Sequence, residues 1–208
     1  MRKAKGLLLM ALLAGMAQAP QAAWAQLNTM RVERHYAVSG RDERALLADM
    51  RRHGPRVGGR PALASTRMEA RYTARLHRTS GRCQVRDFRL RVRFTVMLPR
   101  LRQPRLVQAS TRQRWPDFLR RLKRHEGRHI AIWTDCLRQV DRTLRRMSAA
   151  DCNRLRRRMK NTYHRIMHAC SRRHDAFDSR EHHVSRKLPF IRAAMRQTRQ
   201  RNVRAARR

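Results

Sequence analysis

Two periodicities divide the chain. Met68, Ala70, Tyr72, Ala74 and Leu76 are interleaved with Glu69, Arg71, Thr73, Arg75 and His77, the period of two of a strand with one wet face. After a Ser80-Gly81 turn, Phe88, Leu90, Val92, Phe94, Val96 and Leu98 alternate with Arg89, Arg91, Arg93, Thr95 and Met97. Pro99 has no N–H to give to a ladder and is expected to stop this strand. The two runs predict an antiparallel pair with one arginine-rich face. Upstream, residues 35–38 read as a short strand. Beyond Ser39-Gly40 a helix carries Ala45, Leu46, Leu47 and Met50 on one side until Gly54-Pro55 ends it. The stretch 56–65, with Gly58, Gly59 and Pro61, is a loop by composition.

From Trp115 the period lengthens. Trp115, Phe118, Leu122, His125, His129, Trp133, Cys136, Val140, Leu144 and Met147 recur every three or four residues, the pattern of one long helix with a single buried stripe. Pro116 suits its first turn. Ser148 can cap a second helix, which carries Leu155, Met159, Ile166 and Met167 and is expected to end near Arg172. Polar, histidine-rich residues follow at 174–185. The stretch 191–208 is very basic and too poor in apolar residues to pack, so a disordered tail is expected there.

Composition changes this picture in one respect. The 208 residues hold 52 Lys+Arg against 14 Asp+Glu, a formal net charge of +38, with 41% hydrophobic and 5% aromatic residues. That is enough apolar material for one core, and it excludes a large multidomain enzyme and a multispanning membrane protein. Lysine accounts for little of the charge, occurring only at Lys3, Lys5, Lys123, Lys160 and Lys187. A biased genome explains such an excess of arginine as well as selection does.

The first residues address location. Arg2, Lys3 and Lys5 precede an apolar run over residues 6–17, and Ala23-Trp24-Ala25 offers a small-x-small cleavage site. This is the layout of a signal peptide over residues 1–25. The run falls short of the ~20 residues a membrane span needs, and no later segment is apolar enough. The mature chain is therefore expected to be exported, periplasmic or secreted, without a transmembrane segment. Export favours paired sulfurs among Cys83, Cys136, Cys152 and Cys170, with three connectivities open. No two of these cysteines have the close spacing of a thiolate metal site.

The sharpest chemistry is His125-Glu126-Gly127-Arg128-His129, an H-E-x-x-H sequence inside a predicted helix. A spacing of four puts both imidazoles on one helical face, where they can hold one zinc ion, and puts Glu126 beside them as general base. Both histidines lie in the apolar stripe, where an unpartnered imidazole is costly. A catalytic zinc takes a third protein ligand, and a second helix running back along the first brings up His174, Asp175, Asp178, Glu181, His182 and His183 as candidates. The hairpin offset puts residues 169–174 opposite the motif, and of the two later donors Asp178 lies nearer than His183 by about a turn and a third of helix. His164 and His168 also stand four apart, and read better as solvent-facing side chains.

The chain resembles a family of secreted bacterial proteins, domain-of-unknown-function family 922 (DUF922), for which zinc-dependent protease activity is inferred largely from this motif. The resemblance covers residues 36–183. It rests on Tyr36-Ala37-Val38-Ser39-Gly40, Gly54-Pro55, Gly81-Arg82-Cys83, Leu98-Pro99, Trp115 followed by residues 124–129, and Asp151-Cys152. Phe177-Asp178 and His183 occupy the places of the family's terminal aromatic-Asp pair and histidine, while Glu181 stands where Thr is usual and Val184 where Gly is usual. The resemblance implies a Cys83–Cys152 disulfide, leaving Cys136 and Cys170 to join the two helices. It also implies His183 as the third zinc ligand, with Asp178 either the alternative ligand or the carboxylate that orients a ligand's second nitrogen.

These readings predict one α+β domain over residues 26–190, in which a small antiparallel sheet packs with the H-E-x-x-H helix and an antiparallel second helix in a zincin-like arrangement. The function expected is hydrolysis of a peptide or protein substrate by a zinc-activated water, with Glu126 as base and Arg128 or an arginine of the sheet face at the oxyanion. The rival reading is a non-catalytic exported cationic protein whose arginines hold anionic surface polymers or nucleic acid.

Overall fold

The computed structural model describes residues 27–208, and the expected leader over residues 1–25 lies outside them. In chain order the elements are β1 (Asn28–Val38), α1 (Glu43–His53), β2 (Arg56–Val57), β3 (Arg60–Pro61), β4 (Ser65–Thr79), β5 (Arg82–Leu101), α2 (Ala109–Arg145), β6 (Ser148–Ala149), α3 (Cys152–Arg186) and α4 (Pro189–Ala206). The fold is α+β. Its main sheet has the order β1-β5-β4, with β6 added beside the start of β5.

The hairpin forms as its alternation predicts. Ser80 and Gly81 both take positive φ, 48° and 74°, as a two-residue turn between right-twisting strands requires. Inward residues of β5 from Cys83 to Leu98 are buried; those from Cys83 to Phe94 share a core with Leu137, Val140 and Leu144 of α2 and Leu155, Met159 and Ile166 of α3. The outward face carries exposed Arg67, Arg71, Arg75, Arg89, Arg91 and Arg93, with Arg71 directly opposite Arg91.

The sheet is mixed rather than antiparallel. Strand β1 begins seven residues before the expected residue 35 and runs parallel to β5, from Asn28 opposite Arg91 to Val38 opposite Leu101. It lies at the sheet edge with Val38 as its one buried residue, so backbone pairing holds it and no alternation announces it. β5 also runs past Pro99 to Leu101. Pairing with β4 ends with Ser65 opposite Met97, which leaves one neighbouring strand at the proline, the setting in which proline is tolerated.

Asp42 caps α1 by accepting the Ala45 N–H at 2.7 Å, and Leu46, Leu47 and Met50 are buried. A Cβ at Gly54 would lie 2.3 Å from the Met50 carbonyl oxygen and 2.7 Å from that of Ala62, so close backbone approach requires glycine where the helix ends. Helix α2 starts at Ala109, ahead of the expected Pro116, because Thr111 already lies on the buried stripe while Pro116 faces solvent. Asp151 caps α3, accepting the Arg154 N–H at 2.7 Å. Ser148, the expected cap, instead pairs with Gln84 of β5.

Two corrections concern the C-terminal part. Helix α3 continues beyond Arg172 to Arg186, with the buried stripe passing through Cys170 and His174. Apart from Phe177, its inward positions there are filled by polar residues, so the apolar period thins out while the helix goes on. The expected disordered tail is helix α4. Phe190 stacks on Phe118 with ring centroids 4.3 Å apart, and Phe190 and Ala194 join Leu46, Met50 and Trp115 in a second core. Beneath it Glu43, wholly buried, accepts from Arg114 Nη1 and Gln197 Nε2, each at 2.8 Å, and so links α1, α2 and α4.

Both disulfides join elements as the resemblance implied. Cys83–Cys152 ties β5 to the start of α3 with Cα atoms 5.1 Å apart, and Cys136–Cys170 ties α2 to α3 at 6.0 Å. Two bridges are the mark of a chain that matures in an oxidising environment. No helix among the described residues is long and apolar enough to cross a membrane.

Candidate metal centre

Helices α2 and α3 run antiparallel, and the site lies between them about two turns from the Cys136–Cys170 bridge. One turn of α2 separates His125 from His129, and their Nε2 atoms approach to 3.1 Å. From α3, Asp178 Oδ1 stands 3.3 Å from His125 Nε2 and 3.1 Å from His129 Nε2. These three residues are the group of ligand-type side chains that converges among the described residues, with one ligand atom from each within 4.8 Å of the others. The edges match the separation of about 3.3 Å between ligand atoms at tetrahedral angles around a zinc with bonds of ~2.0–2.1 Å. Three bases turned toward one point also need a cation or shared protons to offset their repulsion. The donor set therefore fits zinc. The histidine rings are partly buried and Asp178 is 51% exposed, which leaves the cluster open on the carboxylate side.

Glu126 is 3% exposed and its Oε2 accepts from Thr66 Oγ1 of β4 at 2.8 Å. Burial raises its pKa to about 7, with the charge of Asp178 adding to the rise and the Thr66 hydrogen bond opposing it. Burial likewise lowers His125 and His129, against the pull of Asp178. Phe177 packs on both imidazoles, with ring centroids 4.9 and 5.1 Å away. His174 is buried beside them, with Nδ1 2.8 Å from His129 Nδ1. Its pKa falls to about 4, first through burial and then through His129. Glu181 pairs with Arg121 and approaches His125 Nδ1 to 3.9 Å, too far for a hydrogen bond.

The structure thus brings His125, Glu126, His129 and Asp178 together and leaves His183 out. His183 is exposed on α3. Five residues of continuous helix turn it roughly 140° away from Asp178 around the axis, and no bend carries it back. His164, His168, Asp175 and His182 are exposed on α3, and Arg128 is exposed on α2. Sequence reasoning missed Thr66 altogether, because it lies at the start of β4, between the stretch read as loop, 56–65, and the alternation that begins at Met68. It weighed His174 only as a ligand. Helical spacing could have placed it, four residues after Cys170.

Fold and site together define an α+β domain in which an antiparallel helix pair, clamped by a disulfide, presents a His-His-Asp cluster beside a buried glutamate. The family described as "Bacterial protein of unknown function (DUF922)" matches residues 33–184, and the chain belongs to that family. No curated protein and no solved structure matches the chain.

Proposed function

We propose that the protein is an exported zinc-dependent metallopeptidase, with His125, His129 and Asp178 as the residues that hold the metal. The observation that carries this reading is the convergence of His125 Nε2, His129 Nε2 and Asp178 Oδ1, at separations of 3.1–3.3 Å, next to a buried carboxylate. Bound there, zinc would supply a Lewis acid and bring the pKa of a water toward ~7. Glu126 is the residue that takes and returns a proton. Its raised pKa suits a group that must do both near neutral pH, and Thr66 fixes one carboxylate oxygen while the other is left for the exchange. Phe177 screens one side of the imidazoles, and the open carboxylate side admits substrate. The basic and apolar leader and the two disulfides support export.

Metal analysis and peptidase assay of the oxidised protein test the reading. Wild type is expected to hold one zinc and to cleave unfolded protein. Glu126→Gln should keep the metal and lose turnover, and His125→Ala/His129→Ala should lose both. Full zinc in the double variant, or peptidase activity in Glu126→Gln, would refute it.

A second reading, an anion-binding surface, draws on the outer sheet face. Arg71 and Arg91 are paired directly across strands, where like charges repel. An anionic polymer laid across the face would relieve that repulsion. Salt-sensitive binding of nucleic acid or lipopolysaccharide that is lost in Arg71→Ser/Arg91→Ser, by a protein without peptidase activity, would favour this reading.

A further inference from the structure

His174 has no role in holding the metal, yet it is more tightly enclosed than either histidine of the motif. It is 8% exposed. Trp133 packs on its ring with centroids 4.2 Å apart, its Nε2 faces Cys170 Sγ at 3.9 Å, and its Nδ1 faces His129 Nδ1 at 2.8 Å. The ring is therefore held between a tryptophan, the Cys136–Cys170 bridge and the back of His129. It cannot reach the point where His125, His129 and Asp178 converge, because the edge of His129 that it touches is the one turned away from that point.

Two imidazole nitrogens 2.8 Å apart share one hydrogen bond, so one carries a proton and the other accepts it. When the lone pair on His129 Nε2 is committed to a cation, the single proton of the neutral ring is on Nδ1. The acceptor within reach is His174 Nδ1. His174 then carries its own proton on Nε2, which faces the sulfur of Cys170. Metal-bound histidines are commonly oriented by a carboxylate, a carbonyl or a water at their second nitrogen. Here an uncharged imidazole stands in that place.

We propose that His174 is a positioning residue: it accepts the Nδ1–H of His129 and so holds that ring with a bare Nε2 turned toward Asp178, an inference that rests on the zinc reading above. Among the described residues the other ligand has no counterpart in this form, since Glu181 stands 3.9 Å from His125 Nδ1. Phe177 packs on both rings, but the two histidines of one motif are held differently, since His129 has a buried hydrogen bond at its second nitrogen as well.

The test uses the full oxidised chain and two substitutions. The Oδ1 of asparagine can occupy the position of the ring Nδ1 and accept the same proton, whereas phenylalanine fills the space and stacks on Trp133 but accepts nothing. Zinc affinity is measured by competition with a chromophoric chelator, and ligand geometry by the visible absorption spectrum of the cobalt-substituted protein. His174→Asn is expected to bind zinc like wild type with an unchanged cobalt spectrum. His174→Phe should lose affinity by roughly 10–100-fold, the effect usual for an outer hydrogen-bond partner, and shift the spectrum while the thermal midpoint stays put. A wild type that binds zinc and a His174→Phe variant that binds it equally well would overturn the inference alone, as would equal losses in both variants. A wild type with no zinc affinity would overturn the metal reading, and this inference with it.

Discussion

Replacing Arg114 by methionine removes one side of the ion pair at Glu43 and leaves a carboxylate with 1% of its side chain exposed, whereas the arginine it loses was 37% exposed. That asymmetry sets the magnitudes. Without Arg114 the carboxylate loses a charge-assisted hydrogen bond of ~1.5–3 kcal/mol and keeps only the uncharged donors, Gln197 and its own backbone, so a buried charge is left without its counter-ion and the cost should reach about 3 kcal/mol. Glu43→Gln loses the same bond, but the guanidinium left behind is wetted by solvent and the new amide oxygen still accepts from one partner. Its cost should be nearer ~1–1.5 kcal/mol. Urea unfolding at neutral pH with both disulfides intact measures the two values. Equal losses, or a larger loss in Glu43→Gln, would refute the reasoning.

The same pair carries a pH signature. Burial disfavours the Glu43 charge, but hydrogen bonds from its own backbone, Gln197 and Arg114 win and hold its pKa below the usual carboxylate range. A group depressed in the folded state lends stability above its unfolded pKa of ~4.3 and loses it as pH falls through the folded value. The gap between wild type and Glu43→Gln should therefore narrow as the solution is taken below pH ~4.

Further outcomes follow from the packing. Phe190→Ala should cost about 3–5 kcal/mol in urea unfolding, since the ring is buried against Phe118 and Trp115; a neutral result would mean that α4 is not docked. Cys136→Ser/Cys170→Ser opens a loop with a sequence separation of 34 and should cost about 4 kcal/mol in the chain-entropy estimate, read as a fall in thermal midpoint. Gly54→Ala should be destabilising although its φ of −72° is ordinary, because the added carbon meets two carbonyl oxygens; equilibrium unfolding decides it.

What could be read from the sequence was whatever left a periodic or a chemical mark. The hairpin, the long helix and the motif histidines fall where alternation and spacing put them, and the resemblance paired the cysteines as the structure has them. Four features left no such mark. β1 is held at an edge by backbone bonds, so its side chains are free to vary. The second half of α3 buries His174 and half-buries Glu181, and one apolar residue, Phe177, is too little to carry the period beyond Cys170. In α4, Phe190, Ala193 and Ala194 are docked within a run of arginines that dominates the composition. The choice between Asp178 and His183 turned on whether the chain bends after Arg172, which depends on how far a helix persists and not on which donors it carries.

The four cysteines are paired first with third and second with fourth, Cys83 to Cys152 and Cys136 to Cys170, so the two covalent loops interleave. On the export route proposed above, a chain threaded out from its N-terminus presents Cys83 and Cys136 to the oxidant before either has met its partner. The pair they can form at that moment is a wrong one, and only attack by a later thiolate, through a mixed disulfide, can undo it. Vectorial delivery thus works against this connectivity. Maturation should depend on an isomerase that reshuffles bonds, with an oxidant alone trapping the chain crosslinked between β5 and α2.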